Sequence, residues 1–245
     1  MSKKEFWKDW KRVTKLEKEA IKSIKKAKKI LLENISKEKI VAIYIKGSFP
    51  RREMNEKSDV DIVPIVKDNK LLKEIIKLDK ENRHLYKPSE LLPSSLWEFK
   101  HNKIYLKSKD PKGRPDGFIR DLDKHKLIFG KPLNPQEFTI RNDKEKLKGM
   151  INAFKEIFLP FYKEKKFGFS EIVKQVFWLT ENEQKVKGKN PPHSWKELTK
   201  SIKDKNHIIH QAYEFRLKPA KDKKQRQEFI KKLKTHLKNL EKLTV

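Results

Sequence analysis

The stretch KGSFPRREMNEKSDVDI, residues 46–62, decides the fold of this 245-residue chain. The apolar, β-branched run IVAIYI at 40–45 precedes it and predicts a buried strand. The run DVDIVPIV at 59–66 predicts a second strand, and Pro64 suggests that this strand ends there or lies at a sheet edge. A Gly-Ser turn therefore follows one strand, and a pair of acids opens the next.

The two aspartates of the second strand are spaced to hold a metal ion. Side chains alternate across a strand, so Asp59 and Asp61 should project from one face while Val60 enters the core. Neighbouring carboxylates repel each other unless a cation lies between them, and hard oxygen ligands suit Mg²⁺, which also recruits substrate phosphates. We therefore predict that Asp59 and Asp61 are Mg²⁺ ligands and catalytic residues.

The turn between the two strands can grip a phosphate. Gly47 permits close approach of a ligand to the backbone, and amides at the start of the following turn can receive phosphate oxygens. The Ser48 hydroxyl can add a hydrogen bond. At least one of Arg51 and Arg52 is expected to reach a triphosphate by charge and bidentate hydrogen bonding, and a salt bridge to a nearby glutamate is the competing expectation. We predict all four as nucleotide-binding residues.

Gly-Ser, ten intervening residues and Asp-Val-Asp-Ile resemble the nucleotidyltransferase signature of the DNA polymerase β superfamily. The run 46–66 also resembles minimal nucleotidyltransferase domains, and a helical domain after it resembles the layout of kanamycin-type nucleotidyltransferases. The resemblance implies a small mixed-sheet domain and a third catalytic carboxylate on a later strand. Glu90 is the first candidate for this acid, and Asp116, Asp121 and Asp123 are alternatives in a stretch that predicts a helix.

The rest of the chain predicts an α+β half, with a long N-terminal helix over the first 36 residues, followed by a helical bundle. We place the domains at 1–135 and 136–245. Between the motif and the boundary we predict strands around 85–86 and at 103–106, helices at 71–78, 94–99 and 116–127, and a turn at 109–114. After the boundary we predict helices at 144–162, 170–184, 194–203, 207–216 and 221–243.

The composition narrows the class of protein. Cysteine is absent, which excludes disulfides, thiol nucleophiles and cysteine-ligated metals. The chain has no apolar run of the roughly 20 residues that a membrane span needs and no apolar signal core at its start, so we predict a cytoplasmic protein without membrane contact. Lys and Arg number 62 against 34 acids, a balance of +28 that favours polyanions such as RNA. Lys-rich usage is also typical of heat-adapted proteomes, so both origins of the charge stay open.

These features together predict an enzyme. It would use Mg²⁺ to move a nucleoside monophosphate from an NTP, such as ATP or CTP, to an acceptor hydroxyl. The positive charge favours RNA, for example a tRNA end, as the acceptor, whereas the kanamycin-type layout favours a small molecule and the likeness to transferases with helical partners favours a protein hydroxyl. The alternative from another class is a degenerate, antitoxin-like transferase that only binds RNA or a protein partner, since the third acid is not evident from the sequence.

Overall fold

A computed structural model describes residues 5–106, 114–192, 194–220 and 222–244. The chain divides into two compact units, Met1–Ile140 and Arg141–Val245. The predicted turn at 109–114 lies, except for its last residue, outside the described residues. No helix within those described ranges combines the length and the apolar character needed to cross a bilayer.

The first unit is an α+β structure built on a mixed sheet. Its elements are α1 (Lys15–Asn34), β1 (Ile40–Lys46), α2 (Ser48–Arg51), β2 (Val60–Val66), α3 (Lys70–Asn82), β3 (Ser89–Leu91), β4 (Ser94–Ser95), α4 (Leu96–His101), α5 (Asp116–Arg120) and β5 (Lys126–Gly130). The strand order is β3-β2-β1-β5, and β4 also pairs with β2. β1 runs antiparallel to β2 and β5, whereas β3 and β4 run parallel to β2.

The two predicted strands form the centre of this sheet, and their apolar side chains enter the core. The interpretation of Pro64 as a mark of an edge or a strand end is wrong, because Pro64 lies inside β2 opposite Ile43. On its other side β2 pairs with β3 through residues 60–62 and with β4 through residues 65–66. Pro64 thus lies beside the break between two short parallel partners, which accommodates a residue without an N–H.

The first helix begins later than the sequence pattern predicted. Residues 6–9 form a 3₁₀ helix, and α1 starts only at Lys15. Thr14 caps α1: its side chain accepts a hydrogen bond from the Glu17 N–H, while the Glu17 carboxylate accepts one from the Thr14 N–H. This capping box fixes the helix start, and its Thr-x-x-Glu spacing was the signal for it.

Three other short elements of this unit also differ from the prediction. The helix expected at 116–127 ends at Arg120, and a 3₁₀ helix at 122–124 leads into β5, which the pattern analysis missed. A strand was expected around 85–86, but Leu85 is the last residue of a 3₁₀ helix, and β3 begins at Ser89 instead. Residues 103–106 are irregular. These elements are too short for a hydrophobic period to identify, and their pairing depends on neighbours distant in the sequence.

The second unit is helical, as predicted. Its helices are α6 (Asp143–Ala153), a π-helical segment (Phe154–Phe158), α7 (Leu159–Lys163), α8 (Phe169–Val186), α9 (Trp195–Ser201), α10 (Ile208–Leu217) and α11 (Lys223–Glu241). Apolar and aromatic side chains of these helices form one core, in which the rings of Phe177 and Trp195 stack with centroids 4.6 Å apart. The predicted fold class, a mixed-sheet domain followed by a helical bundle, is confirmed.

Candidate active site

The turn after β1 has a backbone that only glycine adopts without strain. Gly47 has φ 88° and ψ −150°, and the short helix α2 begins at Ser48. A Cβ atom built on Gly47 would lie 3.2 Å from Oδ2 of Asp61. The residue before the turn, Lys46, is the register partner of Asp61 in the antiparallel β1–β2 pair. The turn and the first acid of β2 therefore adjoin each other, as the spacing of the motif predicted.

A third carboxylate lies beside the two aspartates. Glu90 on β3 is the register partner of Asp61 in the parallel pair β2–β3, so both side chains leave the same face of the sheet. Asp59, immediately before β2, projects to that face as well. One oxygen from each of Asp59, Asp61 and Glu90 lies within 4.8 Å of the others. Asp59 is exposed, and the other two are half-buried.

The alternative third acids lie elsewhere in the first unit. Asp116 belongs to α5, and Asp121 and Asp123 lie between α5 and β5. β5 forms one edge of the strand order and β3 the other. The register that joins Asp61 to Glu90 involves three-residue β3, which explains why no strand pattern in the sequence identified it.

The three carboxylates fit one hard divalent cation. Oxygens on opposite sides of an octahedral Mg²⁺ lie about 4.2 Å apart, given metal–oxygen distances of about 2.1 Å. The separation of less than 4.8 Å between the donor oxygens is compatible with that geometry after small side-chain adjustments. The arrangement leaves room for further oxygen ligands on the exposed side, where Asp59 faces solvent.

The charges of the cluster act on Glu90. Burial raises the pKa of its carboxyl above the ordinary value, and the negative charges of Asp61 and Asp59 raise it further. The Arg83 guanidinium opposes this rise, with Nη1 at 3.0 Å from Glu90 Oε2. A cation between the acids would relieve the same repulsion.

The two arginines of the motif make different contacts. Arg52 turns toward α1: its Nε donates to Glu17 Oε1 at 2.8 Å, its Nη2 donates to Oε2 at 3.1 Å, and its guanidinium lies 4.7 Å from the Trp10 ring centroid. This geometry does not support a nucleotide-binding role for Arg52. The Nε of Arg51 donates to Glu53 Oε2 at 2.8 Å. This is the salt bridge to a nearby glutamate that was expected as the alternative to nucleotide binding. Nucleotide binding by Arg51 stays a prediction.

An aromatic cluster supports the turn from the N-terminal side, and the sequence analysis did not foresee it. Phe49, the second residue of α2, is fully buried. Its ring centroid lies 5.9 Å from that of Phe6, 6.1 Å from that of Trp7 and 5.2 Å from that of Trp10. Three aromatic residues within the pentapeptide FWKDW were the available signal, which we interpreted only as part of the long N-terminal helix.

A second group of possible metal ligands lies in the helical unit, but its hydrogen bonds argue against a metal. His207 Nδ1 accepts the N–H of Ile209, so its proton lies on Nε2, which donates to Glu183 Oε2 at 3.0 Å. His236 Nε2 lies 3.1 Å from the same oxygen. Burial alone would raise the pKa of the Glu183 carboxyl, yet hydrogen bonds from His207, His236 and Lys187 hold it well below its ordinary value. The cluster is a buried hydrogen-bond network that ties α8 to α10 and α11.

Comparisons with known proteins find a family model and a solved structure that resemble the chain. Residues 25–109 match the family model described as polymerase beta, nucleotidyltransferase, a range that includes the turn and all three acids. No curated protein sequence matches the chain. The crystal structure of spectinomycin adenyltransferase AAD(9) from Enterococcus faecialis with ATP and spectinomycin shares the fold. It is 15% identical, the match covers 87% of this chain and 99% of that chain, and the TM-score is 0.56.

A crystal structure of a toxin-antitoxin with AMP-PNP is 17% identical over 62% of this chain and 98% of that chain, and its TM-score of 0.29 is too low to support an argument. The resemblance seen in the sequence and the prediction of a nucleotidyltransferase are both confirmed. Within this chain, residues 25–109 therefore match the polymerase beta, nucleotidyltransferase family model.

Proposed function

We propose that this nucleotidyltransferase depends on Mg²⁺ and moves a nucleoside monophosphate from an NTP to an acceptor hydroxyl, with release of pyrophosphate. The proposal rests on one observation, the meeting of Asp59, Asp61 and Glu90 beside the turn at Gly47. A Mg²⁺ ion held by Asp59 and Asp61 would neutralise charge on the triphosphate and make the attacking hydroxyl more acidic.

The residues of the chain have separate tasks in this reaction. The backbone at Gly47 leaves room for phosphate oxygens, and the Ser48 hydroxyl and neighbouring amides donate hydrogen bonds to them. Glu90 accepts the proton of the acceptor hydroxyl as its oxygen attacks the α-phosphorus and the bond to the leaving pyrophosphate breaks. The pKa of Glu90 is raised by burial, and a carboxylate whose pKa is raised is a stronger proton acceptor.

We propose RNA as the acceptor class. A net charge of +28 attracts a polyanion and repels cationic small molecules. A second candidate, a small-molecule hydroxyl, is favoured by the structural neighbour that holds ATP and spectinomycin, because its match extends over 87% of this chain. The non-catalytic alternative relied on the lack of a third acid, and the location of Glu90 next to Asp61 removes that reason.

The experiment incubates the full chain with Mg²⁺ and labelled ATP or CTP, in parallel with total RNA and with spectinomycin. We compare the wild type with Asp59→Asn/Asp61→Asn and with the control Asp123→Asn, which changes an exposed acid of the same unit outside the cluster. Label on RNA from the wild type and the control, but not from the double variant, supports the proposal. Label on spectinomycin alone selects the second candidate. Equal labelling by all three proteins contradicts the role of the aspartates.

A further inference from the structure

One oxygen of the Glu90 carboxylate is engaged by an arginine. Arg83, the first residue after α3, places Nη1 3.0 Å from Glu90 Oε2. The other oxygen, Oε1, is the one that this ion pair leaves for contacts with a metal ion or an acceptor. The Glu90 side chain is 21% exposed, so its carboxylate is accessible at the site but screened from bulk water on one side.

Arg83 is itself held by a buried acid. Its Nε donates to Asp79 Oδ2 at 2.8 Å, and its Nη2 donates to the same oxygen. The Asp79 side chain is only 3% exposed and lies on α3, one turn before Arg83. A guanidinium fixed through Nε and Nη2 presents Nη1 in one direction, because its five N–H groups lie in a rigid plane.

The same buried acid also fixes the strand that carries Glu90. Asp79 Oδ1 accepts the N–H of Leu91 at 2.9 Å and the hydroxyl of Tyr86 at 3.0 Å. Leu91 directly follows Glu90 on β3. Asp79 therefore determines both where the backbone next to Glu90 lies and, through Arg83, how the Glu90 carboxylate is turned.

We propose that Asp79 and Arg83 are positioning residues that orient Glu90 toward the acceptor hydroxyl. The inference rests on the proposed function, since it assigns their task in the same site. A terminal carboxylate rotates over a broad range unless a partner holds it, and small misplacement of a reacting group lowers the rate strongly. An ordinary surface ion pair would not explain why a single arginine connects a buried acid to an acid of the site.

Because Arg83 is positively charged, its removal should affect metal binding and catalysis differently. Its removal leaves the cluster of Asp59, Asp61 and Glu90 more negative, so a divalent cation should bind there equally well or more tightly. Catalysis should fall at the same time, because Glu90 is no longer oriented. General damage to the fold would weaken metal binding and catalysis together.

The test measures four variants of the full chain: Arg83→Met, Arg83→Lys, Glu90→Gln and the double variant Arg83→Met/Glu90→Gln. Pyrophosphate release from ATP is followed with total RNA as the acceptor, and Mn²⁺ binding is measured by electron paramagnetic resonance with AMP-PNP present. The matched control is Lys77→Met, which removes a cation within α3 that pairs with an acid four residues on, at 3.8 Å.

We expect Arg83→Met to lower kcat between about 10- and 100-fold while the KM for ATP changes less than about twofold. The double variant should be no slower than Glu90→Gln, since Arg83 acts only through Glu90. Lysine should restore part of the rate, and Mn²⁺ affinity should not fall in Arg83→Met. Lys77→Met should match the wild type in all measurements.

An unchanged kcat in Arg83→Met, or a double variant whose loss equals the product of the two single losses, overturns the inference. If Arg83→Met does not fold, the same comparison with Arg83→Lys decides, because lysine keeps the charge but cannot contact both acids in the guanidinium geometry. Failure of the proposed function looks different: Asp61→Asn would then retain the turnover and the Mn²⁺ binding of the wild type.

Discussion

Gly47 and Asp61 lie so close together that a methyl group on Gly47 would crowd the carboxylate: an ideal Cβ on Gly47 would be 3.2 Å from Asp61 Oδ2. The left-handed φ of 88° at Gly47 turns the chain out of β1 immediately before α2. The position of the carboxylate and the path of the turn are therefore linked. A change at either residue should affect the proposed phosphate and metal contacts together.

Gly47→Ala is predicted to disable the site more than it destabilises the fold. The positive φ costs a non-glycine residue about 1–3 kcal/mol, and the added methyl group presses on the Asp61 carboxylate. We expect Mn²⁺ and AMP-PNP to bind at least about tenfold more weakly, as measured by calorimetry, because both ligands need the undisturbed turn.

Variants at two other glycines distinguish the effect of backbone strain from the effect of the contact with Asp61. Gly188→Ala introduces the same kind of strain at φ 73° but meets no atom within 4 Å, so it should lower stability and leave nucleotide binding intact. Gly117→Ala has neither strain nor contact and should resemble the wild type. Equal binding by Gly47→Ala and the wild type would refute the coupling.

The central strands, the turn and the acid pair were predictable because they share a short segment. Strand periodicity places Asp59 and Asp61 on one face whatever the rest of the chain does. Glu90 was only a candidate, because its place depends on the pairing of three-residue β3 with β2, and no local pattern encodes that register. The contacts of Arg52 depend on the path of residues 10–17, which ends in the capping box of Thr14 and Glu17. We interpreted this segment as the middle of a longer helix.

The ion pair of Arg52 with Glu17 predicts an asymmetric loss of stability. Arg52→Met leaves the Glu17 carboxylate, whose side chain is 5% exposed, without its main partner, whereas Glu17→Gln leaves the more exposed arginine in contact with water. Glutamine also retains the capping box with Thr14. The melting temperature should therefore fall further in Arg52→Met than in Glu17→Gln.

The same variants test the nucleotide-binding role first predicted for Arg52. Because its guanidinium contacts α1 and Trp10, we expect the affinity of Arg52→Met for AMP-PNP to stay within about twofold of the wild type. A much weaker affinity at unchanged stability would instead place Arg52 on the triphosphate. Arg51→Met, measured in parallel, shows whether the other arginine fulfils that role.

The network around Glu183 predicts acid sensitivity of the helical unit. The folded-state pKa of this carboxyl is depressed below its ordinary value of 4.5, so its stabilising contribution is complete above about pH 4.5 and is lost as the pH falls further. Between pH 6 and pH 3, urea unfolding followed by circular dichroism should show the wild type losing about 2 kcal/mol more than Glu183→Gln.

The matched control for this prediction is on the same helix. Glu171 has an exposed carboxylate 3.9 Å from Lys174, and Glu171→Gln should keep the pH dependence of the wild type. Identical pH profiles for Glu183→Gln and the wild type would show that hydrogen bonds from His207, His236 and Lys187 do not stabilise the ionised form.

Helix α11 is predicted to contribute to RNA binding, because its excess of basic residues is larger than that of α3. α11 contains seven Lys or Arg and two acids, whereas α3 contains four Lys and three acids. A proteome-wide lysine bias should enrich both helices in the same way. We expect a triple Lys→Gln change at 231, 234 and 238, all exposed, to weaken RNA binding and to lower the slope of log affinity against log salt by about two for single-stranded RNA.

The control replaces the exposed lysines 73, 77 and 80 of α3 and should leave that slope unchanged. Filter binding at several salt concentrations measures both, and equal slopes in the two triple variants would attribute the lysines of α11 to composition alone.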